Sequence, residues 1–190
     1  MHEYAFRSIG DNVTIYPMAR IIGAENLEIG SNVIIDDFVL IQASKPCYIG
    51  NYVHIASFTS ITGGGSFCLE DFSTLSSGVR FFSGTDDFLG TGMANSTIPD
   101  EYRNATRSTT ILRAHGLVGA NTTVLAGVTI GTGAAIGAGS LVRKSLPPWQ
   151  VYAGNPLTTL RDRPSDSILR QEQELYTKYG TPEKLYRDVL

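Results

Sequence analysis

Charge is scarce in this chain. Acidic and basic residues make up 17% of its 190 residues, against roughly 25% in soluble domains generally. Neither sign dominates, since 15 Lys and Arg against 18 Asp and Glu give a net charge of −3. With no basic excess, the electrostatic footprint of a nucleic-acid binder is missing. Cysteine is rarer still: Cys47 and Cys68 are too few for a disulfide scaffold or a closed zinc site. Both read as small packing residues. No apolar run is long enough to span a membrane. The opening MHEYAFRSIG lacks the basic-then-apolar layout of a signal peptide, so the expected compartment is the cytoplasm. A strand-GxxxxGK-helix phosphate loop is absent too, which disfavours nucleotide hydrolysis.

What the chain has is glycine, 20 residues of it, a 42% hydrophobic fraction and a repeat. Its length suits one domain with an appendage. An aliphatic residue recurs every six positions at Ile9, Ile15 and Ile21. After two extra residues the set returns at Ile29, Ile35 and Ile41, then at Ile49, Ile55 and Ile61, and then at Leu69, Leu75 and Phe81. The step resumes at Leu112, Val118 and Val124 and runs on without an offset through Ile130, Ile136 and Val142. Neither a helical nor a simple alternating period gives this. A six-residue unit is one short strand plus a corner. Three such sides close a triangular coil, and coils stack strand upon strand at about 4.8 Å. The fourth residue after an anchor is small or slim, as at Val13, Ala19, Val33, Thr59, Ser73, Thr122 and Ala134, which fits a tight corner. Gly in second place, at Gly10, Gly30, Gly50, Gly119, Gly131 and Gly137, fits it as well. A β-sandwich with evenly spaced turns is the competing reading, and eighteen anchors in phase argue against it.

The pattern over residues 9–147, strongest in TIGTGA followed by AIGAGS, resembles the hexapeptide-repeat acyltransferases. The resemblance implies an all-β fold: a left-handed parallel β-helix of about six triangular coils, with a long loop excursion and a short C-terminal helical segment. The left hand comes from the resemblance, since the usual crossover rule is right-handed. The chain then divides into a β-helix at 1–147 and an extension at 148–190. The resemblance further implies acetyl-CoA as cosubstrate, no metal, and a homotrimer with sites between subunits.

Chemistry collects where a regular scaffold is interrupted. The extra pairs Leu27-Glu28, Cys47-Tyr48 and Phe67-Cys68 are expected at the corner joining the third side to the next coil. At that same corner, 25 residues, 87–111, stand where earlier coils have two. So long an insertion in a compact repeat is uncommon without a function, and in similar enzymes it walls the active site. Beyond Ser145 the pattern stops. Residues 165–178 read as a helix with Ile168, Leu169, Leu175 and Tyr176 on its apolar face, followed by a second short helix over 182–190. Both are expected to cover the open end of the prism, whose last strand edge would otherwise invite aggregation.

Acyl transfer needs a base to take the acceptor's proton, and histidine suits that task near neutral pH. His2 precedes the coils. His115 abuts the end of the excursion and the Gly-rich last coils, so it is the first candidate base; His54, flanking the same corner two coils earlier, is the second. Similar sugar acetyltransferases place a catalytic His beside a Pro at the start of the long loop. Here that stretch reads FFSGTDDF, without His. Asp86, Asp87 and Asn95 become the candidate acceptor-binding residues. Ala120 and Ala138, beside glycines, suit close approach of a pantetheine arm, while Arg143, Lys144, Arg161 and Arg163 suit the phosphates of CoA.

The expected reaction is therefore acetyl transfer from acetyl-CoA to a sugar hydroxyl, in cell-surface polysaccharide synthesis. The alternative is N-acetylation of a nucleotide-linked amino sugar by the same machinery, and a non-catalytic binding scaffold is the alternative of another class. Zinc carbonic anhydrases on this fold need three histidines at neighbouring corners, and only His54 and His115 lie on the coils.

Overall fold

The computed structural model describes residues 4–183. Three parallel sheets form the sides of a triangular prism, each collecting one strand from every coil. Sheet A begins with Ser8–Ile9, sheet B with Val13–Ile15 and sheet C with Arg20–Ile22. The anchors pair with one another along each side. Ile9, Ile29, Ile49, Leu69, Leu112 and Ile130 are consecutive partners in sheet A. Ile35, Ile55, Leu75, Val118 and Ile136 follow one another in sheet B. All but Ile9 and Ile15 are buried, and Ile9 is 49% exposed because the first coil is the end of the stack. Each buried Ile or Leu contributes roughly 1.5–3 kcal/mol of transfer free energy, so the axial row of anchors is what holds the coils in register.

Corner residues explain the rest of the repeat. Val33, Thr59, Ser73, Thr122 and Ala134 turn inward and are buried. The second-place glycines are required by close approach between coils. A Cβ on Gly30 would lie 2.7 Å from the Gly50 carbonyl carbon, and one on Gly119 would lie 2.6 Å from the Ala138 nitrogen. The extra pairs differ from expectation. Leu27-Glu28, Cys47-Tyr48 and Phe67-Cys68 fall inside the strands Leu27–Ile29, Cys47–Ile49 and Ser66–Leu69, lengthening sheet A. Leu27, Cys47 and Phe67 point into the core there. Both cysteines are free and buried, and burial pushes their thiols up to about 11 for Cys47 and about 12 for Cys68.

The prism also continues past residue 147. Gln150–Ala153 adds a seventh parallel strand to sheet B, and Thr158–Asp162 folds back antiparallel upon it. This strand, exposed at every position, closes the stack. The C-terminal helix α1, Asp166–Tyr179, is no lid over that end. It runs down the corner between sheets A and B, meeting His115, then Phe72 one coil lower. Beyond it the chain reaches the Asn51 side chain, whose Nδ2 donates to the Glu183 carbonyl at 2.9 Å. Ile168, Leu175 and Tyr176 are half-buried, whereas Leu169 is exposed. His2 and most of the short helix expected over 182–190 lie outside the described residues.

Candidate active site

The excursion is pinned at its base. Gly84–Thr85 pairs antiparallel with Thr106–Arg107, and sheet A resumes at Thr109–Leu112 against Ser66–Leu69. The prism is therefore rejoined earlier than the expected boundary at 111, because Thr109 already pairs with Ser66. This closure brings the acidic start and the basic end of the excursion together. A cavity of about 300 Å³ opens there, with the ends of sheet C strands as its floor (Gln42, Thr62, Phe82) and Asp86, Arg103 and Arg107 around it. Arg103 Nη2 donates to Asp86 Oδ1 at 3.0 Å. That guanidinium holds the Asp86 carboxyl below the usual carboxylate range, helped by the Asn95 backbone N–H. Arg107 lies over Gly64, where a Cβ would come within 2.9 Å of its Nε.

Asp86 is thus the expected acceptor residue that faces the cavity. Asp87 turns away into the loop, its carboxylate accepting from the backbone N–H groups of Leu89, Thr91 and Gly92. Those donors hold it ionised, and its task is to shape the turn. The Asn95 side chain likewise serves the loop, its Oδ1 accepting from Thr97.

The two histidines differ sharply. His115 is a corner residue at φ 58° in a column of left-handed positions that includes Asn32, Tyr52, Phe72 and Trp149. Its ring stacks on Phe72 at 4.9 Å and tilts against Trp149 at 6.1 Å. Gly133 makes room for Trp149, since a Cβ there would lie 2.2 Å from the indole. Nε2 of His115 stands 3.0 Å from Glu172 Oε2 on α1, and only 9% of the side chain is exposed. His54 sits on the outer face of sheet B, 45% exposed, with Nε2 3.2 Å from Asp36 Oδ2. A carboxylate on one ring nitrogen fixes the tautomer and leaves the other, Nδ1, as proton acceptor.

The residues expected to hold CoA do not meet in one place. Ala120 and Ala138 are neighbours on adjacent coils at the corner between sheets B and C, where Gly139 N donates to Ala120 O at 2.8 Å. Arg143 and Lys144 stand at the corner between sheets C and A, and Arg161 is exposed on the closing strand. Arg163 occupies a different position from the one expected. Its Nη1 donates to the His115 and Gly133 carbonyls at 2.9 and 2.8 Å, tying the segment before α1 to the corner.

Sequence reasoning passed over Arg103, Arg107, Asp36 and Glu172. The first two had a signal: acidic residues open the excursion and basic ones close it, so its two ends attract. Glu172 carried none, because its partner depends on where the helix lies. Among the described residues no group of three or more His, Cys, Asp or Glu could hold a metal ion, and no helix is long and apolar enough to cross a membrane.

The sequence matches no family model. It is 35% identical over 173 residues, 90% of each chain, to dTDP-4-amino-4,6-dideoxy-D-glucose acyltransferase of Escherichia coli. The structure superposes with a TM-score of 0.85 on AntD, an N-acyltransferase from Bacillus cereus crystallised with dTDP and 3-hydroxybutyryl-CoA. That match has 34% identity and covers 93% of both chains. A hexapeptide-repeat acetyltransferase from Vibrio cholerae, in complex with acetyl-CoA, shares the fold at 18% identity, with a TM-score of 0.57 over 84% of this chain and 72% of that one. The phased anchors, the stacked parallel coils and a relative this similar over nine-tenths of the length agree: the chain belongs to the hexapeptide-repeat β-helix acyltransferases, which act with acyl-CoA.

Proposed function

We propose that the chain transfers an acyl group from acyl-CoA to the amino group of a nucleotide-linked amino sugar, in a homotrimer whose sites lie between subunits. The relatives support the amino acceptor over the sugar hydroxyl first expected. The observation that carries the reading is the cavity at the base of the excursion. It offers one carboxylate, Asp86, for an amino group and one exposed guanidinium, Arg107, for the phosphates of a nucleotide.

His54 is assigned as the base and Asp36 as the carboxylate that orients it. His115, its ring covered and its Nε2 on Glu172, is assigned to packing. In the reaction the acceptor nitrogen attacks the thioester carbonyl carbon and passes a proton to His54 Nδ1. The carbon–sulfur bond breaks, and the CoA sulfur leaves and takes up a proton. Sheet B is the side opposite the corner between sheets C and A, so one chain holds His54 and Asp86 on opposite flanks. A site that uses both draws them from two copies. The exposed stripe of Tyr16, Met18, Phe38 and Phe58 at the corner between sheets B and C gives those copies an apolar surface to share.

The test is thiol release from acetyl-CoA and 3-hydroxybutyryl-CoA against nucleotide-linked amino sugars and their hydroxyl counterparts. Turnover with the amino acceptors, and a kcat reduced about 10²–10⁴-fold in His54→Ala, is the expected result. Full activity in His54→Ala removes the base assignment, and turnover only with hydroxyl acceptors removes the amino-sugar reading.

A further inference from the structure

We propose that Arg103 is a positioning residue of the acceptor site, holding Asp86 so that its carboxylate meets the acceptor's amino group as a fixed anion. The inference rests on the amino-sugar reading above and goes beyond it by naming what sets the preference for an amine. Arg103 and Asp86 stand 17 residues apart at opposite ends of the excursion, brought together by the pairing of Gly84–Thr85 with Thr106–Arg107. The Arg103 side chain is only 10% exposed, and its Nε is enclosed with no hydrogen-bond partner among the described residues. A desolvated guanidinium is immobilised by what it touches. Its other carboxylate, Asp100, is at 3.4 Å and 99% exposed, so Asp86 at 3.0 Å is the contact that matters.

Arg103 engages Oδ1 of Asp86 and the Asn95 backbone N–H takes a further lone pair, so the carboxylate is held from two sides where it borders the cavity. An ionised carboxylate is acceptor-only. An amino group, part-protonated near neutral pH, meets it with a charge-assisted hydrogen bond, whereas a hydroxyl brings one neutral donor. The pair Asp86–Arg103 therefore reads amine against hydroxyl, with Arg103 acting through the carboxylate that it holds.

The experiment compares wild type, Arg103→Lys, Arg103→Gln, Asp86→Asn and the Arg103→Gln/Asp86→Asn double variant. Each is assayed with a nucleotide-linked amino sugar and with the matching hydroxyl sugar. Calorimetric titration with the amino-sugar nucleotide reads the same contrast without turnover. Expected is a rise of about tenfold or more in acceptor KM, and in calorimetric Kd, for Arg103→Gln and Asp86→Asn. The KM for acyl-CoA stays within about twofold, Arg103→Lys falls between, and the double variant is no worse than the worse single one. Unchanged acceptor KM and Kd in Arg103→Gln overturns the proposal and leaves the amino-sugar reading standing. Equal losses for acyl-CoA and acceptor, with a lowered melting temperature, show that Arg103 is merely structural and also overturn it. A wild type that acylates hydroxyl and not amino acceptors overturns both.

Discussion

Nε2 of His115 and Oε2 of Glu172 lie 3.0 Å apart although 57 residues separate them in sequence. This contact places α1. Around it Tyr176 tilts onto Phe72 at 5.6 Å, and Arg163 binds the His115 carbonyl. Burial and the neighbouring Asp71 and Glu172 carboxylates push the Tyr176 hydroxyl above its ordinary range, so it stays neutral there. The helix is thus strapped to the corner by a polar contact set between aromatic rings.

If that is the role of His115, its removal costs stability before it costs chemistry. His115→Ala leaves a gap between Phe72 and Trp149 and takes the imidazole partner from the Glu172 carboxylate. Losses of about 3–5 kcal/mol are typical when a buried aromatic ring is truncated. The expected result is a clearly lowered unfolding midpoint and faster hydrogen exchange in α1, with kcat per folded molecule within a few-fold of wild type. Glu172→Gln keeps the shape and should loosen the helix less. A folded His115→Ala protein with kcat down by 10² or more would return the base to His115.

The apolar stripe makes a prediction about assembly. Phe58 is 59% exposed and stacks on Phe38 of the adjacent coil at 5.1 Å, with Met18 one coil further also exposed. Phe58→Glu sets a charge at one end of the stripe, beside Phe38, at a position that is exposed in the single chain. Light scattering should find wild type at three times the chain mass and the variant as a folded monomer. Thiol release should vanish with the trimer. An active monomer would show that one chain completes its own site.

The repeat was legible from the sequence because one side chain per six residues must point inward on every side, and no other element tolerates that spacing. Anchor pairs such as Ile35 with Ile55 and Leu69 with Leu112 follow directly, even across the excursion. The extra residues beside Leu27 and Cys47 were misplaced because the pattern counts residues without saying whether a strand or a corner absorbs them. The helix was seen and its berth was not. An amphipathic pattern says that a face is covered, and only the corner column of Tyr52, Phe72 and His115 says by what. At the site, Asp86 and Asp87 look alike in sequence. The structure separates them by donors: three loop N–H groups claim Asp87, and Arg103 with the Asn95 N–H hold Asp86.

The Asp86–Arg103 contact has a pH signature with a definite sign. The groups that act on Asp86 are Arg103 above all, then the Asn95 N–H and Arg107. They lower its pKa, so the wild-type carboxylate stays ionised as pH falls through the ordinary carboxylate range. Replacing Arg103 by Gln removes the largest cause and lets Asp86 protonate at higher pH. Acceptor binding in Arg103→Gln should therefore weaken toward acid at a higher pH than in wild type. Calorimetric Kd between about pH 3 and 6, a window that brackets the ordinary carboxylate range, reads this directly. Superimposable acid limbs would mean that Arg103 does not govern the charge on Asp86.

Gly64 offers a probe of Arg107 that leaves every polar group in place. Its φ is +74°, and an added Cβ would lie 2.9 Å from Arg107 Nε and 3.3 Å from Arg107 Cδ. Alanine there carries a backbone penalty of about 1 kcal/mol or more for the left-handed conformation. It also lifts the arginine off the floor of the cavity. The far end of a flexible side chain can yield, so the fold should persist with a modestly lowered melting temperature. Arg107, displaced from the cavity, would hold a nucleotide's phosphates less well. Gly64→Ala should raise the KM for a nucleotide-linked acceptor several-fold while leaving that for the free amino sugar unchanged, and Arg107→Ala should do the same more strongly. If both acceptors suffer alike, Arg107 is not the phosphate contact, and the cavity owes its recognition to Asp86 alone.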